Sequence, residues 1–157
     1  MQKITPFLWF DSQAEEAVKF YTSIFKDSKV ISTSYYGEGG PMPKDTVLVI
    51  AFQLNGQEYM ALNGGAYVKF NEAISLAVNC ETQQEIDYYW DKLSAGGSLQ
   101  QCGWLKDKYG LSWQVMPSKT GEWLSNKDRK KADRVMAAVM KMVKLDMKAM
   151  QDAFDGK

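Results

Sequence analysis

Two four-residue strings do most to limit what this chain can fold into: Ser12-Gln13-Ala14-Glu15 and Thr82-Gln83-Gln84-Glu85, 70 residues apart and each placed directly after a β-rich segment. Both have the capping-box form. A hydroxyl residue satisfies a free N–H of the first helical turn, and the Glu three positions on reaches back. Behind the first string, Ala14, Ala17, Val18, Tyr21, Ile24 and Phe25 recur at helical spacing. Behind the second, Ile86, Tyr89, Trp90 and Leu93 do the same until Gly96-Gly97 ends the run. Strands are expected at 3–10 (with Pro6 near the start), 29–36, 46–53 and 57–63, the last two joined by Asn55-Gly56, a strong hairpin signal. The second half repeats the plan with strands at 72–80, near 98–105 and at 111–117. The expected fold is therefore α+β: two βαβββ modules, each offering one sheet to a shared cavity.

The remaining sequence is expected to be helical. Residues 127–154 are rich in Met, Ala and Lys. Val135, Met136, Val139, Met140 and Val143 are placed to form one apolar stripe, and Asp146 to cap a second short helix reaching Phe154. Met at that spacing suits helix packing, or a face that meets a partner. A chain of 157 residues fits one domain, divided here into modules at about 1–66 and 67–119 with a helical extension at about 120–157.

Charge excludes some partners. Lys plus Arg equals Asp plus Glu at 19 each, so there is no basic excess to attract nucleic acid or an anionic membrane. MQKITPFLWF has one Lys and too short an apolar run for a signal peptide, and no stretch approaches the ~20 apolar residues of a membrane span. Cys80 and Cys102 form no CxxC pair and suit a reducing cytoplasm. The chain has no His, which removes the commonest general base and the commonest transition-metal ligand together.

Four segments, ITPFLWFDSQAEEAVKFYTSIF, YMALNGG, FNEAISLAVNCETQQEID and CGWLKDKYGLSWQVMP, occur in an order that resembles one family over about residues 3–145. That family is the PhnB-like branch of the vicinal oxygen chelate (glyoxalase/bleomycin-resistance) superfamily, often labelled "3-demethylubiquinone 3-methyltransferase-like". The resemblance implies paired βαβββ modules in an open half-barrel, commonly as a homodimer. The methyltransferase label carries little weight. A nucleotide-type methyl donor calls for a glycine-rich strand-to-helix turn, whereas Gly37-Glu38-Gly39-Gly40-Pro41 lies between strands.

The resemblance also implies where a metal would sit in active relatives: His, Glu or Gln on four strands. Carried over by strand, these positions fall near Thr5, near Ala61 or Asn63, near Ala73 or Ser75, and at Gln114, where DKYGLSWQV resembles a D-x-x-G-x-x-x-E ending. Residues 3–10 and 59–63 contain no His, Asp, Glu or Cys, and 73–80 contain only Cys80. No metal and no other cofactor is expected from such a set.

What strand alternation offers instead is a face of aromatics and small polar groups. Thr5, Phe7 and Trp9 form one set; Tyr59, Ala61 and Asn63 another; Ser75, Ala77 and Asn79 a third; Ser112, Gln114 and Met116 a fourth. Phe70, Asn71, Trp104 and Lys106 are placed at its mouth. Each has a plainer alternative: Trp9 and Trp104 as bulk packing, Asn63 as a turn cap with Gly64 and Gly65, Gln114 as a cross-strand hydrogen bond. Lys106-Asp107-Lys108 reads as a solvated turn. Three functions fit: a binding protein for a small organic ligand; a metal-free lyase or isomerase drawing on Tyr59, Lys106 or Cys102; an interaction module using the C-terminal helices.

Overall fold

The computed structural model describes residues 2–157. The chain divides into two compact units, Met1–Phe70 and Asn71–Lys157. In the first, β1 (Phe7–Phe10) leads to α1 (Ala14–Ile24), then β2 (Lys29–Tyr35), β3 (Val47–Leu54) and β4 (Gln57–Asn63). The sheet order is β1-β4-β3-β2, with β1 parallel to β4 and the other pairs antiparallel. In the second, β5 (Leu76–Cys80) leads to α2 (Gln83–Ser94), β6 (Ser98–Leu99), β7 (Trp104–Lys106) and β8 (Ser112–Pro117). Its order, β5-β8-β7-β6, is that of the first sheet element for element, again with the opening strand parallel to the last. Duplication of a βαβββ unit is thus present in the topology, and neither sheet closes on itself.

The helix stripes fall where spacing places them. Ala14, Ala17, Val18, Tyr21 and Ile24 are the buried residues of α1, which packs on β3 and β4. Val18 and Ile24 alone remove two aliphatic side chains from water, each worth about 1.5–3 kcal/mol. In α2 the buried set is Ile86, Trp90 and Leu93, with Tyr89 only half-buried. Asn55 and Gly56 both have positive φ, 46° and 82°, as a two-residue turn between Leu54 and Gln57 requires.

The second capping string caps its helix: Thr82 Oγ1 accepts the Glu85 N–H at 3.2 Å, and Glu85 Oε2 reaches back one residue past the cap to accept the Glu81 N–H at 2.7 Å. The first does not. No side chain of the Ser12-Gln13 segment caps α1. The Ala14 N–H instead donates to Asn63 Oδ1 at 2.8 Å, so the cap comes from the end of β4. Two expected strands are also shorter: residues 3–6 precede β1, and 72–75 form a turn before β5. At the far end of α2, a Cβ on Gly97 would stand 2.0 Å from the Lys106 carbonyl oxygen, which explains the second glycine of that pair.

Beyond β8 lie α3 (Thr120–Leu124), α4 (Arg129–Val139) and α5 (Met147–Asp155). Asp146 caps α5 as expected, accepting the Ala149 N–H at 2.8 Å. The expected stripe splits. Val135 and Val139 join Trp123, Leu145 and Met150 in a core, whereas Met136, Met140 and Val143 are exposed. The extension belongs to the second unit, because the N–H groups of Cys102 and Gly103 each donate at 2.8 Å to the carbonyls of Met142 and Val143. Among the described residues no helix is long and apolar enough to cross a membrane.

Candidate functional site

Each sheet has one face against its helix and one open face, and register decides which residue goes where. In the first sheet Leu8 pairs with Ala61 and Phe10 with Asn63, while Ile50 and Phe52 oppose Ala61 and Tyr59. All seven are buried, so this is the helix side. The open side carries Phe7 and Trp9, 53% and 37% exposed, beside Met60 and Leu62. The placement of Phe7 and Trp9 agrees with alternation from the sequence. The placement of Tyr59, Ala61 and Asn63 corrects it: they point to α1, and Met60 and Leu62 hold the open positions of β4.

The correction has a physical cause in each residue. Asn63 bridges three segments: its Oδ1 accepts from Ala14, its Nδ2 donates to the Val47 carbonyl at 3.1 Å, and its own carbonyl accepts the Tyr36 hydroxyl at 2.6 Å. Tyr59 stacks on Phe52 with ring centroids 5.6 Å apart, and burial pushes its phenol pKa up. A phenol held there cannot serve as an acid or base on the open face. Trp9 lies over the glycine turn: its Nε1 donates to the Gly65 carbonyl at 2.9 Å, and a Cβ on Gly64 would approach the ring to 2.3 Å. Thr5 is half-buried just before β1. Phe70 meets Phe10 edge to face at 5.2 Å.

In the second sheet the sequence-based grouping matches the register. Trp104 opposes Gln114, Lys106 opposes Ser112, and Ala77 and Asn79 lie beside Gln114 and Met116. Ala77 and Asn79 are exposed, while Val78, Cys80, Trp113 and Val115 are buried on the other side. Gln114 Nε2 donates to Ser75 Oγ at 2.8 Å, a bond between side chains 39 positions apart. Lys106 Nζ pairs with Glu72 at 2.5 Å, and this partner holds the Glu72 carboxyl below its ordinary pKa. Asn71 is exposed and uses its Oδ1 to accept the Ala73 N–H at 2.9 Å, which shapes the turn that carries Glu72.

Asp107 is a further correction. The Lys106-Asp107-Lys108 string is not a solvated turn, for Asp107 is buried and its carboxylate organises the loop. Its Oδ1 accepts the N–H groups of Tyr109 and Leu111 at 2.8 and 3.1 Å, and its Oδ2 accepts the Trp113 indole N–H at 2.8 Å. Gly110, at φ +87°, completes the turn, which gives the D-x-x-G pattern a structural reason. The two thiols differ in setting. Burial, with Glu85 and Glu81 adding to it, pushes Cys80 up to about 12, so at neutral pH it stays a thiol. Cys102 is partly exposed, with Sγ 3.7 Å from Met140 Sδ.

The fold family raises the question of a divalent metal, and the donor set here does not fit one. The open positions of β1, β4, β5 and β8 carry Phe7 and Trp9, Met60 and Leu62, Ala77 and Asn79, and Gln114 and Met116. Thioethers, amides and hydrocarbon offer no carboxylate, imidazole or thiolate to a zinc- or manganese-like ion. Among the described residues no three His, Cys, Asp or Glu side chains come together anywhere. A groove of about 330 Å³ between α1 and β2, with Val18, Lys19, Thr33 and Tyr35 in its wall, lies on the helix side of the first sheet, away from Phe7, Trp9, Met60 and Leu62.

Comparison with known proteins gives this geometry a lineage. The 3-demethylubiquinone-9 3-methyltransferase family matches residues 2–116. A PhnB protein from Bacillus cereus is 44% identical, with a TM-score of 0.68 over 74% of this chain and 99% of its own. The PA1353 protein of Pseudomonas aeruginosa shares the fold at 21% identity and a TM-score of 0.61, covering 73% of this chain and 96% of its own. So does FosX, a fosfomycin resistance protein of Listeria monocytogenes crystallised with Mn(II) and sulfate, at 15% identity and 0.52, covering 74% and 93%. No curated protein matches. The chain belongs to the 3-demethylubiquinone-9 3-methyltransferase family in its PhnB-like form, and its two βαβββ units have the glyoxalase/bleomycin-resistance fold.

Proposed function

We propose that this protein binds a small organic molecule without a metal, on the open face of its second sheet. The observation that carries the reading is the make-up of the second face, where Trp104, Gln114, Ser75 and Lys106 stand together above an apolar, helix-covered side. A few oriented polar groups beside an aromatic wall are what a small-molecule site needs, and a sheet that only covered core would not require them. The exposed Phe7 and Trp9 give the first sheet a similar aromatic surface. The methyltransferase name finds no support in the strand-to-helix turns, Asp11-Ser12-Gln13 and Glu81-Thr82, which contain no glycine.

Thermal melting against a library of small metabolites tests the reading. A ligand at about a hundred times its Kd should raise Tm by roughly 5–10 °C, and EDTA should leave that shift unchanged. Stabilisation that needs added Mn(II) or Zn(II) would overturn metal independence, and no stabilisation by any compound would overturn binding. The same reading places the protein in the cytoplasm as a homodimer. Support comes from the edge strand β2, which exposes Val30, Ile31 and Tyr35 where a monomer gains by charge. Light scattering should then return twice the 17.8 kDa chain mass, and a single-chain mass would remove the dimer.

A further inference from the structure

Beside the open face of the second sheet, two hydrogen-bond donors converge on one carboxylate oxygen. Lys106 Nζ and Gln100 Nε2 both reach Glu72 Oε1, at 2.5 and 3.4 Å. Ser75 Oγ accepts from Gln114, which leaves its own proton to point elsewhere. Ser112, which opposes Lys106 across β7 and β8, is fully buried, and its Oγ has no hydrogen-bond partner. One ammonium and one carboxamide thus share a single acid. That acid, Glu72, sits exposed on a turn outside the sheet, while Lys106 is only partly exposed, so water screens the pair from the acid's side.

We propose that Glu72 stands in for the carboxylate of the ligand, and that the site takes a small aromatic monocarboxylate. The carboxylate replaces Glu72 on Lys106, and the ring lies along Trp104. The two side chains are two residues apart on β7 and therefore on one face, a separation of about 6.6 Å along the strand, which suits a benzoate-sized molecule. The proposal rests on the small-molecule reading above and adds the ligand class and a built-in competitor.

Calorimetric titration of the full-length protein with benzoate and with the neutral benzyl alcohol tests this, on the wild type, Glu72→Gln and Lys106→Met. Benzoate should bind at least about tenfold tighter than benzyl alcohol, because a charge-assisted bond to Lys106 distinguishes them. Glu72→Gln should tighten benzoate about two- to fivefold by removing the competitor, the modest factor reflecting a partly solvated pair. Lys106→Met should erase the preference for benzoate, and Glu72→Gln carries the test independently should that variant fold poorly. Benzoate affinity that falls or stays level in Glu72→Gln overturns the proposal, as does equal binding of the two compounds to the wild type. If neither binds while other compounds still raise Tm, the carboxylate assignment fails alone. If nothing raises Tm, both fail.

Discussion

Asp107→Ala is expected to cost about 3–5 kcal/mol of unfolding free energy, read from urea denaturation as a lowered midpoint at unchanged slope. The substitution leaves the N–H groups of Tyr109 and Leu111 and the Trp113 indole N–H without their acceptor. Leu111 and Trp113 are each about 2% exposed, so water cannot replace the lost oxygens without opening the loop. Each stranded buried donor costs about 1–3 kcal/mol, and partial relaxation brings the sum below three full penalties. Asp107→Asn provides the control. Its remaining oxygen still serves the two backbone donors while its amide faces the indole, so about 1–2 kcal/mol should be lost. A loss below about 0.5 kcal/mol in the alanine variant, the size of an ordinary surface change, would mean that the carboxylate does not organise the loop.

The Asp107 loop also shows why local pattern misjudges some residues. Charged residues in a Lys-Asp-Lys string are ordinarily solvated, and a single carboxylate surrounded by its own loop N–H groups has no signature in composition. The turn glycine, Gly110, is the one local hint, since a positive φ there implies a tight loop around the Asp. By contrast, the two amphipathic stripes, the Asn55-Gly56 turn and the second capping box involve neighbours within a few positions. They are legible because the physics that forms them is local. The duplication was visible for the same reason: it repeats those local signals at a fixed spacing.

Facing is harder. In β4 both alternating sets, Tyr59/Ala61/Asn63 and Met60/Leu62, contain apolar residues, so polarity does not choose between them. The choice is made by β3, where Ile50 and Phe52 back onto Ala61 and Tyr59 under α1. In β8 the alternation of Ser112, Gln114 and Met116 against Trp113 and Val115 is sharper, and the open face could be read directly. The Glu72–Lys106 pair joins a turn to a strand 34 positions later, and no spacing rule announces it. The candidate site is therefore legible as strand faces, and illegible as the bonds that cross between segments.

Asn63→Ala is the second large effect, at about 2–4 kcal/mol, and it decides between two accounts of how α1 begins. A local capping box would make Ser12 the cap, and Ser12→Ala would then cost about 1 kcal/mol. In the folded protein the donor that needs capping, the Ala14 N–H, is met by Asn63 Oδ1 from the other end of the unit, and Ser12 is exposed. Ser12→Ala should therefore stay within about 0.5 kcal/mol of the parent. Asn63→Ala strands the N–H of Ala14, a residue with no exposed surface, and the carbonyl of Val47, which is nearly as buried. Asn63→Asp separates the two bonds. It keeps an acceptor for Ala14 at a helix N-terminus that favours negative charge, but sets a carboxylate oxygen against the Val47 carbonyl. It should fall between the parent and the alanine variant. A Ser12→Ala loss equal to that of Asn63→Ala would restore the local cap and overturn the assignment of the α1 start to Asn63.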